Sequence, residues 1–150
     1  NTNKEMIRLK VKDKMTKSVA YVEPNTSVVE AAQLMQKHNV GSIPVYDQGV
    51  VGIVTDRDIV VRNVAHGKIP KDTKVQDVMT SQVVSVSPEM DVEEVSKLMA
   101  NQQIRRVPVV ENNQIVGMLS LGDIATDTRL DMEASEALCE ISKPAKPFRI

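Results

Sequence analysis

Twice in this sequence a hydroxyl and a carboxylate stand three residues apart where an aliphatic run ends: Thr55 and Asp58 in "GIVTDRDI" (52–59), Ser120 and Asp123 in "GMLSLGDI" (117–124). Two chemistries use that pattern. One is structural: the hydroxyl caps a helix by accepting a backbone N–H, and the acid favours the first turn. The other is recognition. A helix N-terminus offers free N–H groups to a phosphate, while a carboxylate would repel that phosphate but can accept hydrogen bonds from vicinal hydroxyls. Together these groups suit a ribose 5′-phosphate. In both stretches a glycine, Gly52 or Gly117, stands three residues before the hydroxyl, where the missing side chain permits close approach. The caps of the other repeat helices have no such glycine, so recognition stands beside capping as a reading.

Other chemistry has less to draw on. Asp56 and Asp58 diverge at a helix start and no third acid is near, so neither a paired-acid nor a divalent-ion site is expected. His38 and His66 have no Ser or Cys at a spacing that would make a nucleophile and its base. The single Cys139, beside Glu136 and Glu140, reads as packed rather than reactive. With two histidines it cannot build a disulfide framework or a Cys/His zinc site. Nineteen Lys plus Arg against twenty Asp plus Glu leave a net charge of -1, which gives no field for nucleic acid. With no Trp, one Phe and two Tyr, there are few platforms on which single strands could stack. No apolar run approaches the roughly 18 residues of a membrane span, and the opening "NTNKEMIRLK" lacks a signal-peptide core. A cytoplasmic protein is expected, non-enzymatic, with no membrane or nucleic-acid partner and no required cofactor or metal.

The elements that must position the two motifs come from a tandem repeat. Residues 11–59 align with 75–124, with Gln114 as the one insertion, and match at seventeen positions. "DKMT" answers "DVMT", Pro24 answers Pro88, "LM" answers "LM", and "PV" at 44 answers "PV" at 108. In each copy a β-rich run ("SVAYVE", "VVSVS") ends at a proline. A helix follows, capped by Ser27 with Glu30 as a capping box in the first copy and by Asp91 in the second. Two strands then flank turns at Gln48-Gly49 and Asn112-Asn113, and a second helix starts near Asp56 or Leu121. The spacing predicts an α/β (α+β) fold of two β-α-β-β-α repeats packed with pseudo-twofold symmetry. Residues 8–66 form the first repeat, 67–74 the connection, 75–128 the second repeat, and 129–150 a C-terminal helix and tail. Met35 and Met99 sit at equivalent helical positions and read as core. Ala134, Ala137, Leu138 and Ile141 share one face of the tail helix, which reads as packing.

These doubled motifs, with their "P-V" strands, resemble the cystathionine-beta-synthase (CBS) domain pair, or Bateman module, over roughly residues 8–128. The layout is similar to small stand-alone bacterial CBS-pair proteins. The resemblance implies a regulatory module that binds an adenosine-containing ligand (AMP, ADP, ATP, NAD or S-adenosylmethionine) in clefts between the repeats. The motif acid would hold the ribose, the hydroxyl would lie near the phosphate, and the base would sit between aliphatic side chains. It also implies that each cleft takes its motif from one repeat and its first-strand and pre-proline residues from the other. One cleft would use Ile53, Thr55, Arg57 and Asp58 with Val83, Val84, Arg105, Arg106 and Pro108. The other would use Met118, Ser120 and Asp123 with Val19, Ala20, Gly41, Ser42 and Pro44.

Scarce aromatics agree with an aliphatic base slot, for which Ile53, Val83, Val84 and Met118 are candidates and plain core residues alike. The two arginines of "RRVPVV" have no counterpart in "GSIPVY", so the clefts should differ toward phosphate. A homodimer is expected, through faces such as Val28, Ala31, Met35 and Val92, Val95, Met99, together with an effector protein as a further partner. An interaction protein with vestigial clefts is the rival reading.

Overall fold

In the computed structural model, which describes residues 8–127 and 130–144, each repeat builds the same short series of elements. The first gives α1 (Val11–Lys14), α2 (Val28–His38), β1 (Ser42–Tyr46), β2 (Val50–Thr55) and α3 (Asp56–Arg62). The second gives α4 (Val92–Gln102), β3 (Arg106–Glu111), β4 (Gln114–Ser120) and α5 (Leu121–Ala125), followed by α6 (Asp131–Ser142). Short 3-10 turns at Val64–His66, Pro70–Asp72 and Val75–Asp77 carry the chain from one repeat to the next. Each hairpin is a two-stranded sheet, β1 with β2 and β3 with β4. The end of the tail, residues 145–150, and the junction at residues 128 and 129 lie outside the described residues. Among the described residues no helix is long and apolar enough to cross a membrane.

Local chemistry sets most of the boundaries. The Ser27 hydroxyl accepts the Glu30 N–H at 3.1 Å, and Asn39, with φ 52°, turns the chain out of α2 in the left-handed region. In the second hairpin Asn112 and Asn113 both have positive φ, 52° and 64°, as a type I′ turn requires. Asp91 behaves differently from expectation: it occupies the N-cap of α4, but its side chain makes no capping bond. The first N–H of that helix is satisfied by backbone, Val92 donating to the Leu9 carbonyl at 2.8 Å, as also happens in the side-chain-capped α2, where Val28 donates to Thr73 at 2.9 Å.

The β-rich runs before Pro24 and Pro88 do not become strands. Each makes one parallel bridge, Val22 with Val45 and Val86 with Val109. Val22 donates to the Pro44 carbonyl at 3.0 Å and accepts from Tyr46 at 2.8 Å. Extending the ladder one step back requires an N–H on Pro44, and one step forward requires an N–H on Pro24; neither exists. Pro108 and Pro88 truncate the second copy identically. Four prolines therefore hold two potential strands to a single bridge each.

The chain groups into two compact units that are not the two repeats. One, here the Asp58 unit, contains residues 19–84 with 112–115; the other, the Asp123 unit, contains residues 8–18, 85–111 and the described residues from 116 to 144. Residues 8–18 thus form an arm that folds with the body of the second repeat, and the equivalent arm, 72–82, folds with the body of the first. In the Asp123 unit Val11 donates to Met90 at 2.9 Å and Lys12 to Pro88 at 3.0 Å; in the Asp58 unit Val75 donates to Thr26 at 2.8 Å and Gln76 to Pro24 at 3.0 Å. Val11 and Val75 are fully buried in their respective cores.

Two expectations about surfaces are corrected. The faces assigned to dimerisation are already covered within one chain: Val28, Ala31 and Met35 lie in the core of the Asp58 unit, and Val92, Val95 and Met99 in that of the Asp123 unit. Leu130 at the N-cap of α6 and Ala134 and Ala137 on it are buried where the helix packs against α4 and α5, whereas Leu138 and Cys139 are exposed. Ile141 packs against the same core, as expected of that face, while Leu138 and Cys139 turn outward, so Cys139 is not packed.

Candidate functional site

Both motifs form complete capping boxes. Thr55 ends β2 in an extended conformation, and its hydroxyl accepts the Asp58 N–H at 3.0 Å while Asp58 Oδ2 accepts the Thr55 N–H at 3.0 Å. In the other unit the Ser120 hydroxyl accepts the Asp123 N–H at 3.1 Å and Asp123 Oδ2 accepts the Ser120 N–H at 2.9 Å. One oxygen of each carboxylate is therefore engaged by its own backbone. The remaining Asp58 Oδ1 lies 3.9 Å from Arg62 Nε, an ion-pair contact longer than a hydrogen bond. Asp58 itself is buried.

The glycines before the motifs have a neighbour within the protein. A Cβ on Gly52 would stand 2.6 Å from Met79 Sδ and 2.9 Å from the Thr80 carbonyl oxygen. On Gly117 it would stand 2.6 Å from Met15 Sδ and 2.9 Å from the Thr16 carbonyl oxygen. The close approach is therefore that of the arm, through the Met-Thr of "DKMT" and "DVMT", and the glycines lend no separate support to a ligand. Ile53 and Thr80 exchange two backbone hydrogen bonds, at 2.9 and 2.8 Å; Met118 and Thr16 exchange two at 2.9 Å. Each arm is thus sewn onto the strand that ends in a motif.

The pre-proline residues lie beside the motif of their own repeat. Asp56 donates to the Gly41 carbonyl at 2.9 Å and Leu121 to the Arg105 carbonyl at 2.8 Å. In the first hairpin Ser42 pairs in register with Thr55, and Pro44 with Ile53. The Ser42 hydroxyl is buried without a hydrogen-bond partner. Such an orphan costs on the order of 1–3 kcal/mol unless something outside the protein satisfies it.

Of the sequence-derived site residues, Ile53, Thr55, Arg57, Asp58, Val83, Val84, Val19, Ala20, Ser42 and Pro44 belong to the Asp58 unit. Met118, Ser120, Asp123, Arg105, Arg106 and Pro108 belong to the Asp123 unit. Val19, Ala20, Ile53, Val83 and Val84 are half-buried, as slot residues or core edges would be, and Met118 is buried. Arg57, Arg105 and Arg106 are exposed. Sequence reasoning missed Arg62, whose Nη1 donates to the carbonyls of Met79 at 3.0 Å and Val78 at 3.3 Å. Its position four residues after Asp58 was the available signal.

Comparison with known proteins identifies the frame that carries this geometry. The family model described as CBS domain matches residues 11–63 and again residues 75–127. The chain is 49% identical over 133 residues to the CBS domain-containing protein YhcV of Bacillus subtilis (strain 168), covering 88% of this chain and 94% of that protein. It is similar in structure to the CBS domain pair of protein MJ0100 in complex with 5′-methylthioadenosine and S-adenosyl-L-methionine, with a TM-score of 0.71 and 30% identity over 79% of this chain and 94% of that one. The hexameric CBS-CP12 protein from bloom-forming cyanobacteria is also similar, with a TM-score of 0.74 and 32% identity over 85% of this chain and 76% of that one.

Proposed function

Because the chain belongs to the CBS domain family and carries two such domains in tandem, we propose that it is a non-catalytic, ligand-sensing regulatory module for adenosine-containing molecules, with AMP, ADP or ATP as the first candidates. Asp58 and Asp123 accept the ribose hydroxyls through the carboxylate oxygen their caps leave over. Thr55 and Ser120 lie beside the phosphate. The observation that carries the reading is the buried, unpartnered Ser42 hydroxyl on the residue paired with Thr55, a polar group that a bound ligand would satisfy. S-adenosylmethionine is a second reading, favoured by the ligands of the MJ0100 pair.

A thermal-shift screen with AMP, ADP, ATP, NAD and S-adenosylmethionine tests this directly. A binder of the folded state present at about 100 times its Kd adds roughly 2.7 kcal/mol. Since hydrogen bonds to a charged group contribute roughly 1.5–3 kcal/mol, Asp58→Ala should weaken binding about tenfold to a hundredfold. A protein whose melting temperature none of these ligands moves would be an interaction protein with vestigial sites.

The module acts as a homodimer in this proposal, now assigned to a different surface. Val60, Val61, Val64 and Ile69 are exposed together on and just after α3, and the similar CBS-CP12 protein is oligomeric. Light scattering should give about twice the 16.6 kDa chain mass; a monomer at micromolar concentration counts against the assignment.

A further inference from the structure

Within the Asp58 unit Arg62 touches two things at once. Its Nε faces the one Asp58 oxygen that the cap does not use, at 3.9 Å, and its Nη1 holds the carbonyls of Val78 and Met79 in the arm. The next residue of that arm, Thr80, is bonded in both directions to Ile53, two residues before Thr55. A closed circuit results, from Asp58 through Arg62 to the arm, across to β2, and back through Thr55 to Asp58.

We infer that Arg62 is a positioning residue that ties the Asp58 carboxylate to residues 78–80, so that a ribose engaging Asp58 and the docking of this arm are linked. The inference rests on the reading of Asp58 as a ribose acceptor. A planar guanidinium suits the role, because its fork presents donors to two partners at fixed angles, which a lysine cannot do. Among the described residues the second unit shows no such circuit. Aligned positions there place Asp127 where Arg62 stands and Lys14 where Val78 stands, and Lys14 Nζ pairs with Asp127 at 3.2 Å. Among the described residues the linkage is therefore seen at Asp58 alone.

Hydrogen exchange at the Thr80 amide reads the linkage, with AMP as the probe, in the parent, Arg62→Met, Arg62→Lys, Asp58→Asn and the double variant Asp58→Asn/Arg62→Met. Asn keeps an acceptor for the Thr55 N–H, and position 62 is half-exposed, so the fold has little reason to fail. Without ligand, Arg62→Met should speed Thr80 exchange about tenfold through local opening of the arm. Asp58→Asn should speed it less, and the double variant should match Arg62→Met, because the Asn substitution keeps the route through Thr55 and β2, leaving Arg62 as the one link to the arm that the change at 58 disturbs. AMP should change Thr80 exchange in the parent, not in Arg62→Met, and partly in Arg62→Lys. Additive effects of the two substitutions, or an undiminished AMP response in Arg62→Met, would overturn the inference. If AMP leaves the parent unchanged, the ribose reading fails for that ligand, while the ligand-free comparison still decides the role of Arg62.

Discussion

The two arms make the same backbone bonds and different side-chain ones. Val11 and Val75, Lys12 and Gln76, Thr16 and Thr80, Met15 and Met79 take matching partners in their respective units. Around that frame the charges are rearranged. Arg62 on α3 holds its arm by two carbonyls, whereas Asp127 after α5 holds its arm through Lys14. Lys10 and Lys12 grip Glu89 at 2.7 and 2.9 Å, while the aligned Lys74, Gln76 and Asn25 cannot form that acid–base cluster. Backbone pairing and a glycine contact thus define where an arm lies, and side-chain charge decides what its docking responds to.

The shared part of the comparison is the more costly to disturb. Gly52→Ala and Gly117→Ala each drive a Cβ against a carbonyl oxygen that is itself bonded to the facing strand, so the arm must lift and strain its paired bonds. Overpacking of this kind costs about 1–3 kcal/mol, and for a chain of this length each kcal/mol lowers Tm by roughly 2–4 °C. The two variants should melt within about 1 kcal/mol of each other. A neutral result for only one would show that the arms differ in the backbone as well as in charge.

The unshared part should show a smaller, one-sided effect. Hydrogen bonds from Lys10 first and Lys12 second, with their charges, lower the Glu89 pKa from its ordinary 4.5 to about 2. A depressed carboxylate pKa means that the folded state holds the proton less tightly than the unfolded one. The contribution is therefore present above about pH 4.5 and is lost as the pH falls toward 2. The cluster is solvent-exposed, so salt will screen it. Exchange at the Val11 and Lys12 amides, corrected for its intrinsic pH dependence, should quicken across that window, and Glu89→Gln should remove the pH response. The Val75 and Gln76 amides should show no such step; an equal step in both arms would erase the distinction.

Much of this architecture is legible in the chain itself. Periodicity marks α2 and α4, the turn residues mark both hairpins, and the hydroxyl–acid spacing marks both capping boxes, because each of these depends on neighbours within a few residues. The exchange of arms does not. "DKMT" and "DVMT" announce themselves as repeats, but nothing local says that each lies on the body of the other copy. For the same reason Gly52 and Gly117 read as room for a ligand when the room is taken by Met79 and Met15. Asp91 is a good cap by type and occupies the N-cap of α4, yet its side chain makes no capping bond there. The β-rich runs are strands by composition, and only the prolines on both sides of the pairing reduce them to single bridges. Arg62 is an ordinary helical arginine in sequence; its interest comes from carbonyls sixteen and seventeen residues away.

The crossing of the arms also gives the chain a direction in time. During synthesis from the N-terminus, residues 19–84 emerge with their own arm included, and the Val75–Thr26 contact closes within one stretch of chain. The arm at 8–18 leaves earlier than any of these, but its partners Pro88, Met90 and Gly117 do not yet exist. It is made before the bodies of both repeats and is among the last segments that can be placed. Until then Val11 and Met15 are apolar side chains without a core, carried on a tether whose closure entropy grows only logarithmically with its length. The segment that locks the second motif's strand is therefore the one the nascent protein must hold in reserve longest.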